Sequence, residues 1–315
     1  MIKLSGFASL VAFILALSLF LLPSQRVRES MLGMVPVKDT MLRTAGSPKI
    51  VLVGGSNLSY GLDSHLLHVE FGLPVANMGL HAGLGLRYML QEVQPHIMPG
   101  DLIVVVPEYQ QFVKNSFYGN KELLGVVFDV MPSRRKLLSF RHWIHQAQFM
   151  PSYAARKLNQ WNSFRRSTTD VCANFNAYGD CTEQWDKPAI PALPFRDDGT
   201  LDGSYAVAMD YLEFFIRFVQ EQGATCVLMP PVLQGTSFDN LQMHIDRIER
   251  ELRLRGIPFL VPARRYRFDD NLISGTPYHL TGEGVVLRTR MVIEDLSPIV
   301  HAMSHGSRDT AGLGN

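Results

Sequence analysis

Short apolar runs alternating with segments of helical periodicity from Pro48 onward predict an α/β fold with a parallel sheet. Two observations carry this prediction. Residues 50–53 and 102–106 are continuously apolar, as strands buried on both faces are. The stretches between such runs are long enough to be helical crossovers.

In order, the sequence predicts a strand over 50–54, a helix over about 62–71, a strand over 74–77 and a helix over about 84–95. The turn Pro99-Gly-Asp101 leads into the clearest strand, 102–106. Alternation stops at Glu108 and resumes near Ser204, with a helix over about 205–222, a strand over 224–229, a helix over about 237–255, a strand over 257–261 and a final helix over about 282–296. Five strands so connected form a flavodoxin-like, three-layer, doubly wound sheet, whose ligands bind beyond the carboxyl ends of the strands. The expected boundaries are an anchor at 1–25, a juxtamembrane linker at 26–47, an α/β domain at 48–300 with a helical insertion at 110–204, and a disordered tail at 301–315.

The 315 residues are enough for one large core. With 30 basic and 29 acidic residues, the net charge of +1 gives no basic footprint for nucleic acid. Leu4 to Gln25 carries no charge and its centre is almost wholly apolar, matching the roughly 17–25 residues that span a bilayer. It reads as a signal peptide or an uncleaved signal-anchor. The absence of a clear small-x-small cleavage site favours the anchor.

Cys172 and Cys181 lie in a polar, loop-like stretch, either as a disulfide pair or as two unrelated thiols. Cys226 fits a small core position. A disulfide together with the anchor would place the domain in the periplasm, on a single-pass inner-membrane protein. No Cys/His spacing suits zinc and no dinucleotide or P-loop fingerprint occurs, so neither a metal nor a cofactor is expected.

The most informative run is Lys49-Ile-Val-Leu-Val-Gly-Gly-Ser-Asn57. It ends a strand in two glycines and presents Ser56 at the start of a helix, either as a cap or as a nucleophile. His279, in Thr276-Pro-Tyr-His-Leu-Thr-Gly-Glu-Gly284 just before the last helix, is the candidate base, with His81 second. Gly79 is a turn glycine or an oxyanion donor, and Asn77 and Asn57 offer side-chain amides.

Gly54-Gly-Ser-Asn57, then Asn77-Met-Gly79, then Pro277-Tyr-His-Leu-x-x-Glu-Gly284 resembles the block pattern of the SGNH/GDSL hydrolase superfamily, in particular its membrane-anchored cell-envelope branch. The resemblance covers roughly 48–110 and 205–296 and leaves the insertion outside. It implies an esterase or O-acyltransferase acting on an envelope or exported polysaccharide, with Ser56 as nucleophile, Gly79 as oxyanion donor and His279 as base.

Two departures stand out. The third block's asparagine is replaced by Pro107-Glu-Tyr109, and the acid's place, three residues before the histidine, holds Thr276. Asp270 and Glu108 are the possible acid partners. A serine protease that loses its acid slows by up to about 10⁴-fold. The alternative is therefore a catalytically inactive scaffold or binding protein in envelope assembly, partnered by other envelope proteins.

The insertion's Arg134-Arg-Lys136, His142-Trp-Ile-His145 and Trp161-Asn-Ser-Phe-Arg-Arg166 read as solvated cationic helix faces. They also read as a lid for an anionic glycan or phospholipid headgroups near the membrane.

Overall fold

The computed structural model describes residues 2–22, 24–161 and 171–311. Trp161 onward in the basic segment, through Arg166, and the last four residues of the tail lie outside the described residues or their described side chains.

In chain order the helices are α1 (Ile2–Leu21), α2 (Gln25–Arg28), α3 (Val35–Thr44), α4 (Ser56–Ser59), α5 (Ser64–Phe71), α6 (Leu86–Val93), α7 (Lys114–Phe117), α8 (Lys121–Gly125), α9 (Phe140–Ala147), α10 (Met150–Trp161), α11 (Ala206–Glu221), α12 (Gly235–Leu254) and α13 (Gly282–Ala311). The strands are β1 (Ile50–Gly54), β2 (Val75–Asn77), β3 (Leu102–Val106), β4 (Thr225–Leu228), β5 (Leu233–Gln234) and β6 (Arg267–Phe268).

β1 to β4 form a parallel four-stranded sheet in the order β2-β1-β3-β4, and β5 and β6 pair separately. Side chains alternate between its two faces. Val51, Val53, Ile103 and Val105 pack with α6, α11 and α12, whereas Ile50, Leu52, Leu102 and Val104 pack with α5 and α13. Helices on both faces explain why these strands read as unbroken apolar runs. At the opposite end from the site, Lys49 Nζ lies 2.7 Å from Asp101 and ties the starts of β1 and β3.

The fifth expected strand is reduced to one bridge, Phe259 to Leu228, in parallel sense. Pro258 and Pro262 remove the backbone donors that a longer ladder needs.

The expected linker at 26–47 is folded into the domain instead. Leu32, Met34, Val35 and Leu42 are core residues. Buried Lys38 donates to the carbonyls of Asn77 and Gly179, both at 2.7 Å, and Asp39 pairs with Arg134. Residues 301–311 continue α13 rather than forming a separate tail.

α1 is long and apolar enough to cross a membrane. Its last turns pack on α10 of the insertion, where Ser18 and Leu19 are buried. Beyond it, Asp129 binds the Ser24 N–H at 3.1 Å, Lys157 Nζ at 2.7 Å and the Tyr153 hydroxyl. Lys157 also donates to the Leu19 carbonyl at 2.9 Å, and the Asp129 carbonyl accepts from Arg28. The exit of α1 is thereby fixed to the domain.

Candidate active site

β1 ends beside β3 with Gly54 opposite Val106. A side chain at Gly54 would collide with the Val106 carbonyl at 2.5 Å, and one at Gly55 with the Glu108 carboxylate. The glycine pair is therefore required by close approach, and Gly55, with φ −84°, has ordinary backbone geometry.

Ser56 follows as the first residue of α4, half-buried, with its N–H ahead of the helical hydrogen-bond ladder. Its Oγ lies 2.9 Å from His279 Nε2, across 223 positions of sequence.

The loop carrying His279 is held from several sides. Its backbone N–H donates to the Thr276 carbonyl at 3.1 Å and its carbonyl accepts from Ser274 at 3.0 Å, closing a tight turn. The neighbouring Tyr278 hydroxyl donates to Gln110 Oε1 at 2.9 Å and accepts from the Tyr109 N–H at 3.2 Å, which ties the loop to the end of β3. Gln184 of the insertion donates to the carbonyls of Tyr60, at 2.9 Å, and Leu280, at 2.6 Å, joining the nucleophile side to the base side. The imidazole stacks on Tyr60, with ring centroids 4.3 Å apart and planes 8° from parallel.

Burial, and then the proximity of His81, lower the His279 pKa to about 4. The ring is neutral at pH 7 and able to accept a proton. His81 accepts the Gly83 N–H at Nδ1, 3.0 Å away, which leaves the ring proton on Nε2. Burial is the main cause lowering its pKa as well.

The three oxyanion donors expected from the sequence are engaged elsewhere. The Gly79 N–H donates to Asn77 Oδ1 at 2.9 Å, and its carbonyl accepts from Ser59. Asn77 Nδ2 donates to the Leu58 carbonyl at 3.1 Å and to Asp180 at 2.8 Å. Asn57 Nδ2 donates to Glu108 at 3.3 Å and the Val106 carbonyl at 3.4 Å. Arg288 donates to Asn57 through both its carbonyl and, at 3.0 Å, its Oδ1. These residues brace the turn that presents Ser56.

Neither of the two expected acids is hydrogen-bonded to His279 among the described residues. Both oxygens of Asp270 bind Thr236, and one also accepts from Gln234 at 3.2 Å. Glu108 accepts from Asn57 and, at 2.9 Å, from Gln110. Its burial raises its pKa to about 7. Thr276, in the acid's place, shapes the histidine turn through its backbone.

Cys172 and Cys181 are not joined in a disulfide. Cys181 bridges Phe175 through its backbone and is fully buried near Tyr60, whereas the Cys172 thiol lies 3.5 Å from the Ser30 carbonyl. The loop between them closes through Asn176 and Asp180 instead. The cysteines thus give no sign of compartment.

Arg288, Asp180 and Gln184 are brace residues that sequence reasoning missed. Only Arg288 carries a signal, as a charge on the buried stripe Val285, Val292, Leu296 of α13.

Tyr60 and His81 also line a cleft of about 430 Å³. Among the described residues, no three His, Cys, Asp or Glu side chains gather as a metal site. Neither a family model, nor a curated protein, nor a solved structure matches this chain. The reading of function therefore rests on the site itself.

Proposed function

We propose that the protein is a membrane-anchored serine esterase or O-acyltransferase with a flavodoxin-like sheet, of the kind its SGNH-like blocks resemble. The observation that carries this reading is the 2.9 Å contact between Ser56 Oγ and His279 Nε2. It joins a hydroxyl at the end of β1 to a neutral imidazole held by independent contacts.

Ser56 attacks an acyl carbonyl while His279 Nε2 takes the hydroxyl proton and returns it to the departing alcohol. The Ser56 N–H and the His81 Nε2–H are the donors for the oxyanion, in place of Gly79, Asn77 and Asn57. With no carboxylate hydrogen-bonded to the base among the described residues, Tyr60 stacking and the Thr276–His279 turn orient the ring. Water or a sugar hydroxyl then resolves the acyl-enzyme, the acceptor being an envelope or exported polysaccharide on the periplasmic side.

The test is labelling by a fluorophosphonate probe together with turnover of p-nitrophenyl acetate. Ser56→Ala is expected to abolish labelling, and His279→Ala to lower turnover by about 10³-fold or more. Labelling and turnover that ignore Ser56 reject the enzyme. They favour the second reading, a binding scaffold in envelope assembly, whose support is the engagement of the expected oxyanion donors within the fold.

A further inference from the structure

One cleft is bordered both by neighbours of the candidate catalytic pair and by the residues that follow α1. Tyr60, whose ring stacks on His279, and His81 line it. Ser24 and Arg26, immediately after α1, line it too. Tyr153 and Lys157, also on the lining, bind Asp129 together with the Ser24 N–H, which ties the cleft to the exit of α1.

The lining is amphipathic. Val27, Met31, Leu32 and Val171 supply an apolar wall, and Gly125 leaves room beside it. Arg26, Lys121 and Arg156 add positive charge, and none of the three forms an ion pair among the described residues. Among the described residues, Glu122 is the one acidic side chain on the lining. A volume of about 430 Å³ lies within the range of small-molecule sites.

We infer that this cleft draws an anionic glycerophospholipid from the membrane surface and delivers its acyl ester to Ser56, so that membrane lipid is the acyl donor. The inference rests on the acyl-transfer reading of the Ser56–His279 pair and names the substrate class for it. The lipid phosphate meets Arg26, Lys121 and Arg156, while the chain next to the ester lies on the Val27–Leu32 wall. Ser56 Oγ forms the new bond to the acyl carbon and its proton moves to His279 Nε2. The bond between the acyl carbon and the glycerol oxygen then breaks, and that oxygen takes the proton from His279, releasing lysophospholipid. A hydroxyl acceptor, water included, finally removes the acyl group from Ser56.

The test uses the full chain in detergent, mixed with vesicles of phosphatidylglycerol or of phosphatidylcholine. Intact-mass spectrometry reads acyl-Ser56, and lipid analysis reads lysophospholipid. Acylation dependent on Ser56 is expected to be at least about tenfold faster from phosphatidylglycerol. In Arg26→Glu/Lys121→Glu, the ratio of lipid acylation to p-nitrophenyl acetate turnover is expected to fall about tenfold. Val27→Trp, which narrows the cleft without altering charge, is expected to lower the same ratio.

If Ser56 reacts with the fluorophosphonate and the small ester but neither vesicle yields acyl-Ser56 or lysophospholipid, the lipid donor is wrong and the esterase reading stands. Equal rates from the two lipids, unchanged by the double variant, overturn the headgroup assignment. Absence of every Ser56-dependent reaction overturns both readings.

Discussion

Glu108 and Asp129 are both buried carboxylates at the margin of the sheet domain, yet their surroundings differ in kind. Asp129 lies 2.7 Å from the Lys157 ammonium and also binds Tyr153 and Ser24. Glu108 is surrounded mainly by neutral amides, from Asn57 and Gln110, and the Arg288 charge acts on it only weakly. Burial among amides raises the Glu108 pKa, whereas Asp129 is held in a buried ion pair. The first network fixes the exit of α1, and the second lies directly under the glycine that precedes Ser56. The α1 side is therefore tied by an ion pair, and the Ser56 side holds a carboxyl whose protonation changes near neutral pH.

Four experiments test that contrast. The largest effect is expected from Asp129→Ala, which strands Lys157 in the interior without its counter-charge. It should cost about 3–5 kcal/mol in denaturant unfolding, with much of the loss recovered in Asp129→Ala/Lys157→Met. A cost below ~1 kcal/mol would mean the network is no more than an exposed ion pair.

Next comes Glu108→Gln. The folded pKa of Glu108 is raised from 4.5 to about 7, so between those values the folded protein holds a proton that the unfolded chain has released. Stability from this group is full below about 4.5 and is lost as pH rises towards 7, by ~1–3 kcal/mol. The glutamine variant should lack that slope, and identical unfolding profiles over pH 4.5–7.5 for both proteins would remove Glu108 from the contrast.

His279 gives the opposite sign. Its pKa is depressed to about 4, so between that value and its ordinary 6.5 the unfolded chain binds the extra proton, and stability grows as pH rises through the window. Ester turnover should rise with pH around 4 and then level off. A kinetic midpoint near 6.5 would show an imidazole exposed to water.

The smallest effect is expected at Asn120, which sits between the two regions. Its side chain caps α8 by accepting from Glu122 N–H at 3.1 Å, and its own N–H donates to the Gly83 carbonyl at 2.8 Å. Asn120→Ala should cost about 1 kcal/mol, read as a small shift in thermal midpoint.

The sheet is legible in the sequence because burial on both faces leaves unbroken runs such as 50–53 and 102–106. The meeting of Ser56 with His279 is legible because both lie at carboxyl-side ends of elements, where a doubly wound sheet gathers its loops. The oxyanion assignments are not legible. Whether Asn57 points to a substrate or to Arg288, 231 positions away, depends on a packing partner that no local pattern reveals. Asp180 and Gln184 are hidden for the same reason, since each acts from an irregular loop without periodicity. The segment after α1 reads as a linker because its short apolar stretches find their cover only in the insertion and the sheet. The cysteine spacing allowed a bridge, but backbone pairing with Phe175 turns Cys181 towards Tyr60.

The lock between α1 and α10 has one further consequence. A catalytic domain on a slack tether sweeps a hemisphere above its membrane and meets acceptors at many heights. With Ser24 and Leu19 bound to Asp129 and Lys157, this domain has no such swivel. With α1 seated in a bilayer, Ser56 would be held at a single altitude and in a single heading. For the acyl transfer proposed above, encounters would become a search in two dimensions, limited by lateral diffusion, and any acceptor would have to be brought down to that plane.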